Sequence, residues 1–119
     1  MTTVERGSFD AVIFDAGGVF VLPDPTVIAP LLAPFGGSID LELHRRAHYA
    51  GMAAKSRVDA VETDWQVYNE TYVATIGVAA DMAAIAATLL GRTRSADLWR
   101  YPIAENVKAI EELAVHGVP

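Results

Sequence analysis

The pattern of hydrophobic and polar positions changes period once along this chain. Phe9, Ala11, Val12, Ile13 and Phe14 form a short apolar run rich in β-branched and aromatic residues, closed by Asp15 and the pair Gly17-Gly18. A run of that length and ending predicts a strand buried on both faces, the kind found in parallel sheets covered by helices. Asp15 then falls at the carboxyl end of the strand, where open α/β sheets place their ligands. Val19 to Leu22 stay apolar and stop at the breaker cluster Pro23-Asp24-Pro25.

Beyond that cluster the apolar residues recur at helical spacing. Asp24 and Pro25 suit the N-cap and first position of a helix carrying Val27, Ile28, Leu31 and Leu32. Pro30 interrupts it and Pro34 ends it, so a short or kinked element is expected before Gly36-Gly37. Ser38 is the expected cap of a second helix over Ile39 to Lys55, with Leu43, Ala47, Ala50 and Ala54 inward and Arg45, Arg46 and His48 on other faces. Thr63 with Gln66 reads as the capping box of a third helix, Asp64 suiting its first turn. Its stripe is Trp65, Tyr68, Tyr72 and Ile76, and Gly77 stops it. Asp81 to Leu90 predicts an Ala-rich fourth helix ended by Gly91. Arg92 to Tyr101 reads as a polar connection. Pro102 opens a last helix with Ile103, Val107, Ile110 and Leu113 as its stripe, closed by His116 and Gly117.

Composition narrows the classes. The 119 residues are 52% hydrophobic, enough for a core and far from disordered composition. No apolar run approaches the ~18 residues of a membrane helix. Residues 1–8 are a polar lead-in without a signal-peptide pattern, so a cytoplasmic protein is expected. The absence of cysteine removes disulfides, thiolate metal sites and a cysteine nucleophile. A net charge of −6 argues against nucleic acid and gives no reason to bind anionic membranes.

Candidate chemistry centres on Asp15-Ala16-Gly17-Gly18. A carboxylate directly after an apolar strand is costly unless something pairs with it. The two glycines beside it let a ligand or metal approach the backbone. The competing reading is a strand-end turn capped by Asp. His44 and His48 have the i, i+4 spacing of a metal pair, but without a third ligand a solvated helix face is the better reading. The aromatic stripe of Trp65, Tyr68 and Tyr72 reads as packing before it reads as a substrate box. The glycine pair is not a dinucleotide fingerprint, because G-x-G-x-x-G is absent.

The strand, the turn Phe14-Asp15-Ala16-Gly17-Gly18-Val19, the run of helices and the segment Trp99 to Gly117 together resemble the front of a haloacid dehalogenase-like hydrolase. The resemblance covers essentially the whole chain. It implies an α/β fold, with a Rossmann-like core represented by its first strand and one core helix and interrupted by an all-helical cap. The corresponding divisions are 1–22 for the strand and nucleophile loop, 23–100 for the cap and 101–119 for the return helix.

In that family the first motif is D-x-D, and its first Asp is the nucleophile. Asp15 matches it. The second Asp, the general acid of the phosphatases, falls on Gly17, a departure shared with the dehalogenase branch. The resemblance implies Asp15 as nucleophile, Gly17 and Gly18 at the substrate, and Mg²⁺ held by the Asp15 carboxylate and the Gly17 carbonyl in a phosphatase-type enzyme, or no metal in a dehalogenase-type one. The implied substrate is a phosphate ester or a halogenated acid, and a homodimer stays open. The family's Ser/Thr, Lys and acidic-pair motifs would lie after Pro119. The chain therefore reads as a truncated member, and the 119 residues alone are expected to show no turnover. The alternative is a non-catalytic relative serving as a helical interaction module.

Overall fold

The computed structural model describes Glu5 and residues 7–119; residues 1–4 and 6, most of the polar lead-in, lie outside the described residues. The chain is mostly helical, with a two-stranded antiparallel sheet. Its elements are β1 (Val21–Pro23), α1 (Pro25–Leu32), α2 (Leu41–Arg57), α3 (Gln66–Thr75), α4 (Ala83–Arg92), β2 (Trp99–Pro102) and α5 (Ala104–Val115). Short 3₁₀ turns follow α1 (Ala33–Phe35) and precede β2 (Ala96–Leu98). No helix of the described residues is long and apolar enough to cross a membrane.

Helices α1 to α4 close a core of their own. Ile28 and Leu32 of α1, Ala47 of α2, Tyr68, Tyr72 and Val73 of α3, and Ala86, Ala87 and Leu90 of α4 are buried together. The helical stretch between residues 24 and 90 is as the periodicity predicts. Its ends differ in detail. Asp40 caps α2 by accepting from the Glu42 N–H at 3.0 Å, while Ser38 accepts from Asp40. Thr63 opens no helix: Asp64 accepts from the Gln66 N–H at 3.1 Å and α3 starts at Gln66. Helix α4 runs through Gly91 to Arg92, because no side-chain competitor or positive φ ends it there.

The largest departure concerns Phe9 to Asp15. The expected strand is not formed, and residues 11–16 carry no regular element. A strand buried on both faces needs ladder partners, and among the described residues this segment has one such contact, Val12 N–H to the Pro119 carbonyl at 3.3 Å. Phe9 is consequently 69% and Ile13 96% exposed. Strand pairing occurs later instead. The connection expected to be polar ends in β2, with Val21 opposite Pro102 and Leu22 opposite Tyr101. Pro102 therefore sits in a strand, and α5 begins two residues after it.

Asp24 ties this sheet to the helices. It caps α1 through the Thr26 N–H at 2.9 Å and pairs with Arg100 of β2 at 2.6 Å. Burial raises its carboxyl pKa, but the bonds from Thr26 and Arg100 outweigh that and hold it below the usual range. Asp24→Ala is expected to destabilise the fold by about 2 kcal/mol, from the lost cap and the lost Arg100 partner together. Urea unfolding checks this, and an unchanged midpoint contradicts it.

Candidate functional site

Asp15 begins a tight loop wound around one carbonyl. The Ala16 oxygen accepts from the N–H groups of Val19, Phe20 and Val21 at 3.2, 2.9 and 3.2 Å, and Gly18 N–H donates to the Val21 carbonyl at 2.8 Å. These bonds hold the loop against the start of β1. The Asp15 side chain is exposed, with Oδ1 accepting its neighbour's Ala16 N–H at 2.8 Å. The Gly17 carbonyl accepts no hydrogen bond among the described residues. A carboxylate and a carbonyl are oxygen donors of the kind Mg²⁺ takes, and that ion keeps several waters. Among the described residues no group of three or more His, Asp or Glu side chains could hold a metal.

Gly17 and Gly18 follow Asp15 in this loop, and their bare faces meet aromatic side chains. A Cβ on Gly17 would come 3.3 Å from the Trp99 indole. A Cβ on Gly18 would come 3.3 Å from His48 Nε2, and Gly18 has φ +74, which disfavours any side chain. The Tyr49 hydroxyl donates to the Gly18 carbonyl at 2.8 Å. Trp99 and His48 meet edge to face at 5.4 Å. Helix α2 and strand β2 thus set three aromatic rings around the loop.

The reading of His44 and His48 on a solvated face is overturned. They are 1% and 3% exposed, because α2 packs against α3 on the face that carries them. Each Nδ1 sits 2.7 Å from a tyrosine hydroxyl, His44 with Tyr72 and His48 with Tyr68. They do not form a metal pair: each turns its Nδ1 to its own tyrosine. The aromatic stripe of α3 is packing, as expected, and it also fixes these imidazoles. Trp65 is held between Lys55 Nζ at 3.6 Å and the Arg94 guanidinium at 3.9 Å.

His48, Tyr49 and Trp99 are the residues around the loop that sequence reasoning did not single out for the site. One signal was available: His44 and His48 share the four-residue spacing of Tyr68 and Tyr72, so two facing helices can match them pair for pair.

Burial, helped by the Arg94 charge, pushes the His48 pKa from 6.5 down to about 4. Burial also lowers that of His44. The unfolded chain therefore binds protons that the native state refuses. The stability held by a neutral His48 is full above about pH 6.5 and is lost as the pH falls towards 4. The expected loss is about 3 kcal/mol from His48. Urea midpoints taken from about pH 7 downwards check it. Stability independent of pH between about 7 and 5 contradicts it.

A separate open groove of about 780 Å³ runs between the Phe9–Phe14 segment and the end of α5, lined by Phe9, Ile13, Leu113 and Val118 among others; Asp15 does not line it. Comparison of the chain with family models, with curated proteins and with solved structures finds no match.

Proposed function

We propose that this chain carries the nucleophile loop and helical cap of a haloacid dehalogenase-like hydrolase, with Asp15 as the nucleophile. The observation that carries the reading is an exposed carboxylate at the head of a rigid, glycine-bared loop, over which a helical unit sets an aromatic wall. After four helices, α5 returns to the first segment. Ile103 N–H donates to the Phe20 carbonyl at 2.8 Å and the Asn106 side chain to the Val19 carbonyl at 2.6 Å. Val12 N–H donates to the Pro119 carbonyl at 3.3 Å.

The chemistry follows from the carboxylate. An Asp15 oxygen attacks phosphorus or carbon, the leaving group departs with the bonding pair, and water hydrolyses the resulting aspartyl phosphate or aspartyl ester. Mg²⁺, when bound, neutralises phosphoryl oxygens. The Asp15 carboxylate and the Gly17 carbonyl are its donors in the phosphatase-type reading. Gly17 carries no proton to give, so the leaving group's proton comes from elsewhere. The substrate is a small phosphorylated or halogenated acid, and the cytoplasm is the compartment this reading assigns.

Isothermal calorimetry with Mg²⁺ tests the phosphatase branch. Binding that Asp15→Asn removes is the expected result. Binding that survives the substitution counts against Asp15 as a metal donor, and no binding at all favours the metal-free branch. The alternative, a helical interaction module, draws support from the core of α1 to α4, which closes without any residue of the Phe9–Phe20 segment.

A further inference from the structure

Helix α2 carries two histidines one turn apart, and α3 carries two tyrosines at the same spacing. In the first pair both imidazole nitrogens are used: His44 Nδ1 lies 2.7 Å from the Tyr72 hydroxyl and Nε2 lies 2.7 Å from the Ser38 carbonyl. A carbonyl only accepts, so the proton is on Nε2 and Nδ1 accepts from Tyr72. The second pair reaches the same tautomer from the other end. Tyr68 is 1% exposed, and among the described residues its hydroxyl has one partner, His48 Nδ1. A buried O–H left without an acceptor is costly, so Tyr68 donates and the His48 proton sits on Nε2.

There the likeness ends. His48 is 3% exposed, yet among the described residues no acceptor meets its Nε2–H. Among those residues, the buried side-chain polar atom left without a partner is Arg94 Nε, so the His48 Nε2 edge still touches solvent. That edge faces Gly18, where a Cβ would stand 3.3 Å away. This donor therefore lies beside the loop that carries Asp15.

We infer that His48 donates a hydrogen bond from Nε2 to an anionic oxygen of the ligand at the Asp15–Gly18 loop, filling the role that the Ser38 carbonyl fills for His44. The ligand class is an oxyanion, either the phosphoryl group of an ester or the carboxylate of a halogenated acid. The choice between those two rests on the hydrolase reading above; the donor itself rests on the two matched pairs. Tyr68 is the positioning residue, since its hydroxyl sets the tautomer. Gly18 is needed because any side chain there would stand between the imidazole and the ligand.

The test is nitrogen-15 NMR of the histidine-labelled chain, titrated separately with inorganic phosphate and with acetate in the presence of Mg²⁺. The free protein should show His48 protonated at Nε2. Its resonance should then move saturably with anion while that of His44 stays in place. Movement with phosphate alone assigns a phosphoryl ligand, and movement with acetate as well assigns a carboxylate. His48→Phe should weaken anion binding about ten-fold, the scale of one hydrogen bond to a charged group. Tyr68→Phe, which keeps the imidazole, should mix the two tautomers and weaken binding less. A His48 proton on Nδ1, no anion response at His48, or equal responses at His44 and His48 overturns the inference. The same titration on Asp15→Asn separates the two claims. A His48 response that persists there keeps the oxyanion donor even if Asp15 proves not to be a nucleophile.

Discussion

Gly51→Ala is expected to lower the stability of the fold by about 3 kcal/mol, the upper end of what an overpacked core costs. Gly51 lies on the buried face of α2, against Tyr68 of α3. A Cβ there would come 2.6 Å from Cδ2 and 2.9 Å from Cε2 of Tyr68. The ring cannot yield, because it is 1% exposed, bonded to His48 and packed against Trp65 and Tyr72 at centroid distances of 5.2 and 5.9 Å. Alanine's better helix propensity returns only about 0.5–1 kcal/mol. Urea unfolding measures the balance. A net gain of stability would show that Tyr68 moves aside freely, and would weaken the claim that α3 fixes the His48 imidazole.

The helical part of this fold was legible because its signals are local. Apolar spacing, Asp24 before Pro25 and glycine after Ile76 each act within a turn or two of chain. Asp24 caps α1 and Gly77 follows α3 with φ +94, as those signals say. The strand assignment at Phe9–Phe14 failed for the opposite reason. An apolar β-branched run states a preference for extended chain, and a ladder needs partners supplied from far away. The two pairing segments that do form, Val21–Pro23 and Trp99–Pro102, are three and four residues long and contain proline, so no periodicity announces them.

The candidate site divides along the same line. Asp15, Gly17 and Gly18 were visible as a carboxylate beside bare backbone. The wall around them was not, because His48, Tyr49 and Trp99 reach the loop from elements some 30 to 80 residues later in the chain. His48 was misplaced on a solvated face because a histidine among Arg45, Arg46 and Tyr49 reads as polar surface. Only the packing of α3 shows that its helix face is an inner one.

Asp15→Asn is expected to reduce hydrolysis by at least about 10⁴-fold. In the proposed reading Asp15 is the nucleophile that forms the covalent intermediate, and losses of that order follow a nucleophile's removal when the rest of a catalytic unit is intact. The amide keeps the shape of the side chain and can still accept from the Ala16 N–H, so folding should be unaffected and the loss should be in turnover. The same change removes the negative charge that would draw Mg²⁺ to the loop. The direct measurement is a panel of small phosphate esters and 2-haloacids, run on the chain joined to a segment that supplies the family's Ser/Thr, Lys and acidic-pair motifs, with and without Asp15→Asn. The account predicts turnover of one of these classes, abolished by the substitution in a protein that remains folded. Turnover that survives Asp15→Asn, or none on either class, contradicts it.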